Sequence, residues 1–131
     1  MHIRYWILAG AVAAAAGSAA PVLAADAKGE ITIAAQHASL AAQASDLAGV
    51  KMHLHHTLNC LEGPKGADFS KSDLNPCAHA GNGAIPDSSN PTTTASLQTA
   101  VGQALSGLKA SDLKTAQSDA SATAATLQAI K

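Results

Sequence analysis

Aromatic side chains are nearly missing from this sequence, which has one Tyr, one Trp and one Phe in 131 residues. Arginine occurs once, at Arg4, and glutamate twice, at Glu30 and Glu62. Without aromatics there is no platform on which bases could stack. Without arginine there is no fork to grip phosphates, so nucleic acid is a poor partner. A basic amphipathic face for anionic lipid is missing as well. G-x-S-x-G, H-E-x-x-H and C-x-x-C-H do not occur, and neither a nucleophile–base pair nor paired carboxylates stand at useful spacing. These absences point to a non-catalytic protein and give no support to covalently attached c-type haem. Gly81-Asn82-Gly83 has no strand before it and no lysine at P-loop spacing after it, so it reads as a turn.

What is present begins with an export signal. Arg4 gives a positive start, an apolar run follows from Tyr5 into alanines, and Pro21 precedes the small-residue site Val22-Leu23-Ala24. This predicts a signal peptide over 1–24, cut after Ala24 or Ala25, and a periplasmic or secreted protein. The apolar core is short for a retained anchor, and no stable membrane association is expected after cleavage. The remaining chain, 25–131, suits one small domain. It keeps seven basic residues against nine acidic ones, a net charge of −2, and Phe69 is its one aromatic.

Cys60 and Cys77 are an even pair, which in an oxidising compartment predicts a disulfide. A bond over that separation would stabilise the fold by about 3 kcal/mol on the loop-entropy estimate. A small alanine-rich core has need of such a staple. Two thiols ligating a metal are the alternative.

Helical patterning dominates the rest. Ala34-Ala35-Gln36-His37-Ala38-Ser39-Leu40 is echoed by Ala41-Ala42-Gln43-Ala44-Ser45-Asp46-Leu47, and leucines recur at 40, 47, 54 and 61. This heptad seam predicts one long helix over 29–61, ended by Gly63-Pro64. Residues 62–91 are rich in Gly, Pro and Asn and read as a stapled, ordered loop, with at most one turn of helix near Phe69–Leu74. Glu62 is expected to bond loop amides, with a bound metal ion as the alternative partner. Asp87 to Asn90, before Pro91, look like turn and cap chemistry. Two shorter helices follow, 92–107 and 111–130, separated by Gly107 and the cap signal Ser111-Asp112. The expected fold is an all-α, up-down bundle of three helices. The odd count would leave part of the first helix bare, and a homodimer could complete a four-helix bundle.

The chemistry concentrates at the end of the first predicted helix. His53 and His56 are one turn apart and can aim two rings at one ion. Neutral imidazole suits copper, zinc or nickel. The Cys60–Cys77 staple would bring His79 to the same end, which makes His53, His56 and His79 the expected ligands. Met52, Asp46 or histidines of a second subunit are other sources of a missing ligand. His37 and His55 read as exposed polar residues.

The run from His53 to Gly63, with Asn75-Pro76-Cys77 and Gly81 to Pro86 after it, resembles small exported bacterial alanine-rich helical proteins. Those carry an H-x-x-H…N-x-x-E-G segment after an alanine-rich helix. The resemblance covers about residues 35–90. It implies that helix end and loop act as one unit, and it implies no particular activity. The leading expectation is thus a periplasmic metal-binding protein for copper, zinc or nickel. Non-covalent haem binding by an axial histidine is a second reading, disfavoured by the lack of aromatics. A protein-interaction module presenting the 62–91 loop is a third.

Overall fold

The computed structural model describes residues 27–131. The expected signal peptide lies outside them. The described chain is all-helical, with α1 (Ala27–Gln43), α2 (Leu47–Glu62), the single turn α3 (Ala84–Asp87), α4 (Pro91–Lys109) and α5 (Leu113–Gln128). None of these helices is long and apolar enough to cross a membrane.

The single helix expected over 29–61 is two helices. The chain breaks at 44–46, where Asp46 is extended and its carboxylate accepts the Gly49 N–H at 2.7 Å. An acceptor of that kind meets one of the orphan amides of a helix start, so it begins a helix instead of continuing one. Asp112 does the same for α5 by accepting the Thr115 N–H. Both breaks carry the same tetrapeptide, Ala44-Ser45-Asp46-Leu47 and Ala110-Ser111-Asp112-Leu113.

The result is two antiparallel hairpins, α1–α2 and α4–α5. They join through α1 against α5 and α2 against α4. Gln117 ties the pairs together by donating to the Ala44 carbonyl at 2.9 Å. Among the described residues four long helices stand where three were expected, α3 being a single turn. The heptad seam also dissolves: Leu54 and Leu61 are buried, while Leu40 is 47% exposed.

The core lies in two zones. Near the turns, Val50, Leu54, Leu58, Ala104, Ala116 and Ala120 pack together. At the opposite end, Ile31, Ala34, Leu61, Leu97 and Leu127 pack around the Cys60–Cys77 disulfide. Many contacts are alanine or glycine, so backbones approach closely; a Cβ on Gly107 would stand 2.6 Å from Leu54 Cδ1.

Residues 63–83 are irregular, and no helix forms near Phe69–Leu74. Buried Asn59 on α2 organises this stretch. Its Nδ2 donates to the carbonyls of Ser70 (3.0 Å) and Leu74 (3.1 Å), and its Oδ1 accepts the Ser70 N–H (2.8 Å). Glu62 accepts the Asp68 N–H at 2.7 Å, as expected of it. The disulfide ties the middle of the segment, with Cα atoms 5.1 Å apart. The return is tight, since a Cβ on Gly63 would collide with the Asn82 backbone. Asn90 caps α4 by accepting the Thr92 and Thr93 N–H groups.

Candidate metal centre

Folding α2 back on α1 sets residues equidistant from the turn against each other. Thr57 reaches the Ala34 carbonyl at 3.4 Å, and one turn along, His37 meets His53. The two Nδ1 atoms are 3.3 Å apart. His56, one turn beyond His53, closes the group. Its ring centre is 5.0 Å from that of His37 and 5.6 Å from that of His53, with both ring pairs nearly perpendicular. One ligand nitrogen from each of the three lies within 4.8 Å of the others. Three histidines therefore stand close enough together to hold a metal ion.

The spacing can be compared with a coordination sphere. Two nitrogens bound to one tetrahedral ion at about 2.0–2.1 Å are roughly 3.3–3.4 Å apart. The His37–His53 pair already has that separation. Without an ion, at most one proton can lie between the two Nδ1 atoms as a hydrogen bond. An ion would take the proton's place and release it.

The electrostatics favour the ligating form. Burial, and then the neighbouring His56 and His53, hold the His37 imidazole below its ordinary value. Burial and then His53 do the same to His56, partly offset by the Asp73 carboxylate. A lowered value keeps the ring neutral near neutral pH, with a lone pair available. His56 is 8% exposed, and its Nδ1 is buried with no hydrogen-bond partner among the described residues. Such an orphan is costly, and a bound ion is one way to meet it. The loop pinned by Asn59 carries Asp73, whose carboxylate accepts from the Ser70 hydroxyl at 2.5 Å.

His53 and His56 stand where the sequence places them, while His79 does not join them. Cys77 is tucked beneath the start of α1, its sulfur 3.9 Å from the Glu30 carbonyl, and His79 two residues later is exposed. The staple acts at Cys60, two turns beyond His53, which is about 10 Å along the helix. It delivers the loop to the wrong level for His79 to serve. The third imidazole is His37, which is half-buried and not the exposed polar residue that the sequence suggests. Its signal was its distance from the turn: His37 and His53 lie eight residues on either side of Ser45. His55 is half-buried outside the group and Met52 is 43% exposed. Asp46 is engaged as the α2 cap. The disulfide leaves neither cysteine as a thiol.

Set against known proteins, the chain matches no protein family, no curated sequence and no solved structure.

Proposed function

We propose that this chain is an exported, non-catalytic protein that holds or passes on a transition-metal ion, bound by His37, His53 and His56. The observation that carries the reading is the convergence of three imidazoles, one from α1 and two from α2, with ligand nitrogens within 4.8 Å of one another. An all-imidazole donor set suits copper, zinc or nickel. Three protein ligands leave a coordination position open, which suits an ion that must be taken up and handed over. His37 and His53 are only partly buried, so the ion can be reached from solvent.

Equilibrium dialysis of the protein without its signal segment, followed by elemental analysis, tests this. About one copper, zinc or nickel ion per chain is expected, abolished in His37→Ala/His53→Ala. Stoichiometry far below one, or binding unaffected by that pair of substitutions, overturns it.

A further inference from the structure

We propose that the carboxyl groups of Glu30 and Asp87 form a proton-operated latch that holds the 77–87 segment against the start of α1. Glu30 lies in the first turn of α1 and is fully buried. Its Oε1 accepts the Gly83 N–H at 2.7 Å, and its Oε2 is buried with no donor among the described residues. Asp87, at the end of α3, accepts from the Asn82 backbone N–H at 2.7 Å and from Asn82 Nδ2 at 3.0 Å. Both carboxyls converge on Gly81. A Cβ there would collide with Asp87 Oδ2 and stand 2.8 Å from Glu30 Oε1.

Two carboxyl groups packed together share a proton more readily than they hold two charges. With a proton on Glu30, its carboxyl becomes a donor that the Asp87 carboxylate can accept. When the proton leaves for solvent, two negative charges flank Gly81 and Oε2 is again without a donor. Burial raises the Glu30 carboxyl to about 7, with the Gly83 N–H opposing and Asp87 adding to the rise. Cys77, His79, Glu62, Lys28 and Lys131 are the other titratable groups around the pair. Cys77 is in the disulfide, His79 on the same loop is exposed, and Glu62 on α2 is engaged with the Asp68 amide. Lys28 and Lys131 border the groove that Asp87 also lines. The latch sits two turns along α1 from His37, so it stands independently of the metal centre.

Amide hydrogen exchange of metal-free protein, corrected for the intrinsic effect of pH, tests the latch. In the unsubstituted chain, protection of the Gly81–Asp87 amides should fall about tenfold or more between about pH 5.5 and 8.5. Glu30→Gln keeps the shape and cannot ionise, so its protection should stay level over that range. Asp87→Asn removes the opposing charge, so the fall should move to lower pH. Protection that is level in the unsubstituted chain, or falls equally in Glu30→Gln, overturns the proposal. Should Glu30→Gln fail to fold, an unmoved midpoint in Asp87→Asn overturns it instead.

Discussion

His37 and His53 face each other across the α1–α2 hairpin with their Nδ1 atoms 3.3 Å apart. The contact depends on the turn at Asp46. A continuous helix would carry the two rings sixteen residues apart, about 24 Å along one rod. Folding at residues 44–46 turns that separation into a direct contact between the two rings.

The first prediction separates His37 from His79. His37→Ala, His53→Ala and His56→Ala should each weaken copper or zinc binding by more than the roughly 10–100-fold that loss of an outer partner costs. His79→Ala should leave affinity within about twofold, since that residue is exposed and outside the group. Isothermal titration of the four variants reads this directly. A large loss in His79→Ala with none in His37→Ala would restore the ligand set that the sequence suggests.

The second prediction concerns pH. His37 and His56 are both held below the ordinary imidazole value of 6.5. The unfolded chain therefore binds protons at these sites before the folded chain does. Their contribution to stability is present above the unfolded value and is lost as pH falls below about 6.5. Glu30 has the opposite sign, because its raised value makes stability fall as pH rises towards about 7. In metal-free protein, His37→Gln/His56→Gln should thus lose less melting temperature than the unsubstituted chain on going from about pH 7 to 5. Metal binding should weaken over the same acid range, because protons compete for the ring nitrogens.

Much of this fold is legible in the residues. The helical periods after residue 91, the Gly63 stop, the caps at Asn90 and Asp112 and the Cys60–Cys77 bond all follow from local chemistry, and all are in place. The break at Asp46 was legible too, because Ala-Ser-Asp-Leu occurs at both hairpin turns. What hid the first copy was the leucine heptad, a pattern that continues through the break although Leu40 and Leu54 end up in different surroundings. A single helix following the heptad would put His37 about four and a half turns from His53. His79 lies outside the histidine group for a different reason. A disulfide fixes where one residue of a loop sits, and it does not fix the side on which the residue two places later emerges.

Asn59 gives the third prediction. It is fully buried, and its amide bonds to Ser70 and Leu74 are among those that shape the 70–74 stretch. Asn59→Ala should cost about 1–3 kcal/mol, because it leaves the Ser70 and Leu74 backbone groups without their side-chain partner. Leu and Asp variants should do no better, since neither reproduces both the donor and the acceptor. Exchange protection of the Ser70 amide should drop with it. Because this loop carries Asp73 beside His56, metal affinity should fall as well, by less than in His56→Ala. Denaturant unfolding reports the stability change, and an effect below about 0.5 kcal/mol would mean that the loop is held by the disulfide alone.

The fourth prediction is that Gly83 tolerates no side chain. The returning chain at Asn82–Gly83 crosses the end of α2 at Glu62–Gly63 with backbone against backbone. Gly63 has φ 67° and Gly83 has φ 122°, values that L side chains rarely adopt. A Cβ on Gly83 would lie 2.5 Å from the Glu62 carbonyl carbon and 2.6 Å from its oxygen. The obstacle is backbone and cannot swing away like a flexible side chain. Strained φ and overpacking each cost about 1–3 kcal/mol, so Gly83→Ala should destabilise by about 3 kcal/mol or more. Gly102→Ala is the control, because that position is helical and open, and there alanine should stabilise by about 0.5–1 kcal/mol. Thermal melts of the two variants at one pH compare them. The Gly83 crossing also brings its N–H onto Glu30, so Gly83→Ala should flatten the pH response of the 81–87 amides along with lowering stability. If it lowered stability but left that response intact, the crossing and the carboxyl pair would be separate features of the loop.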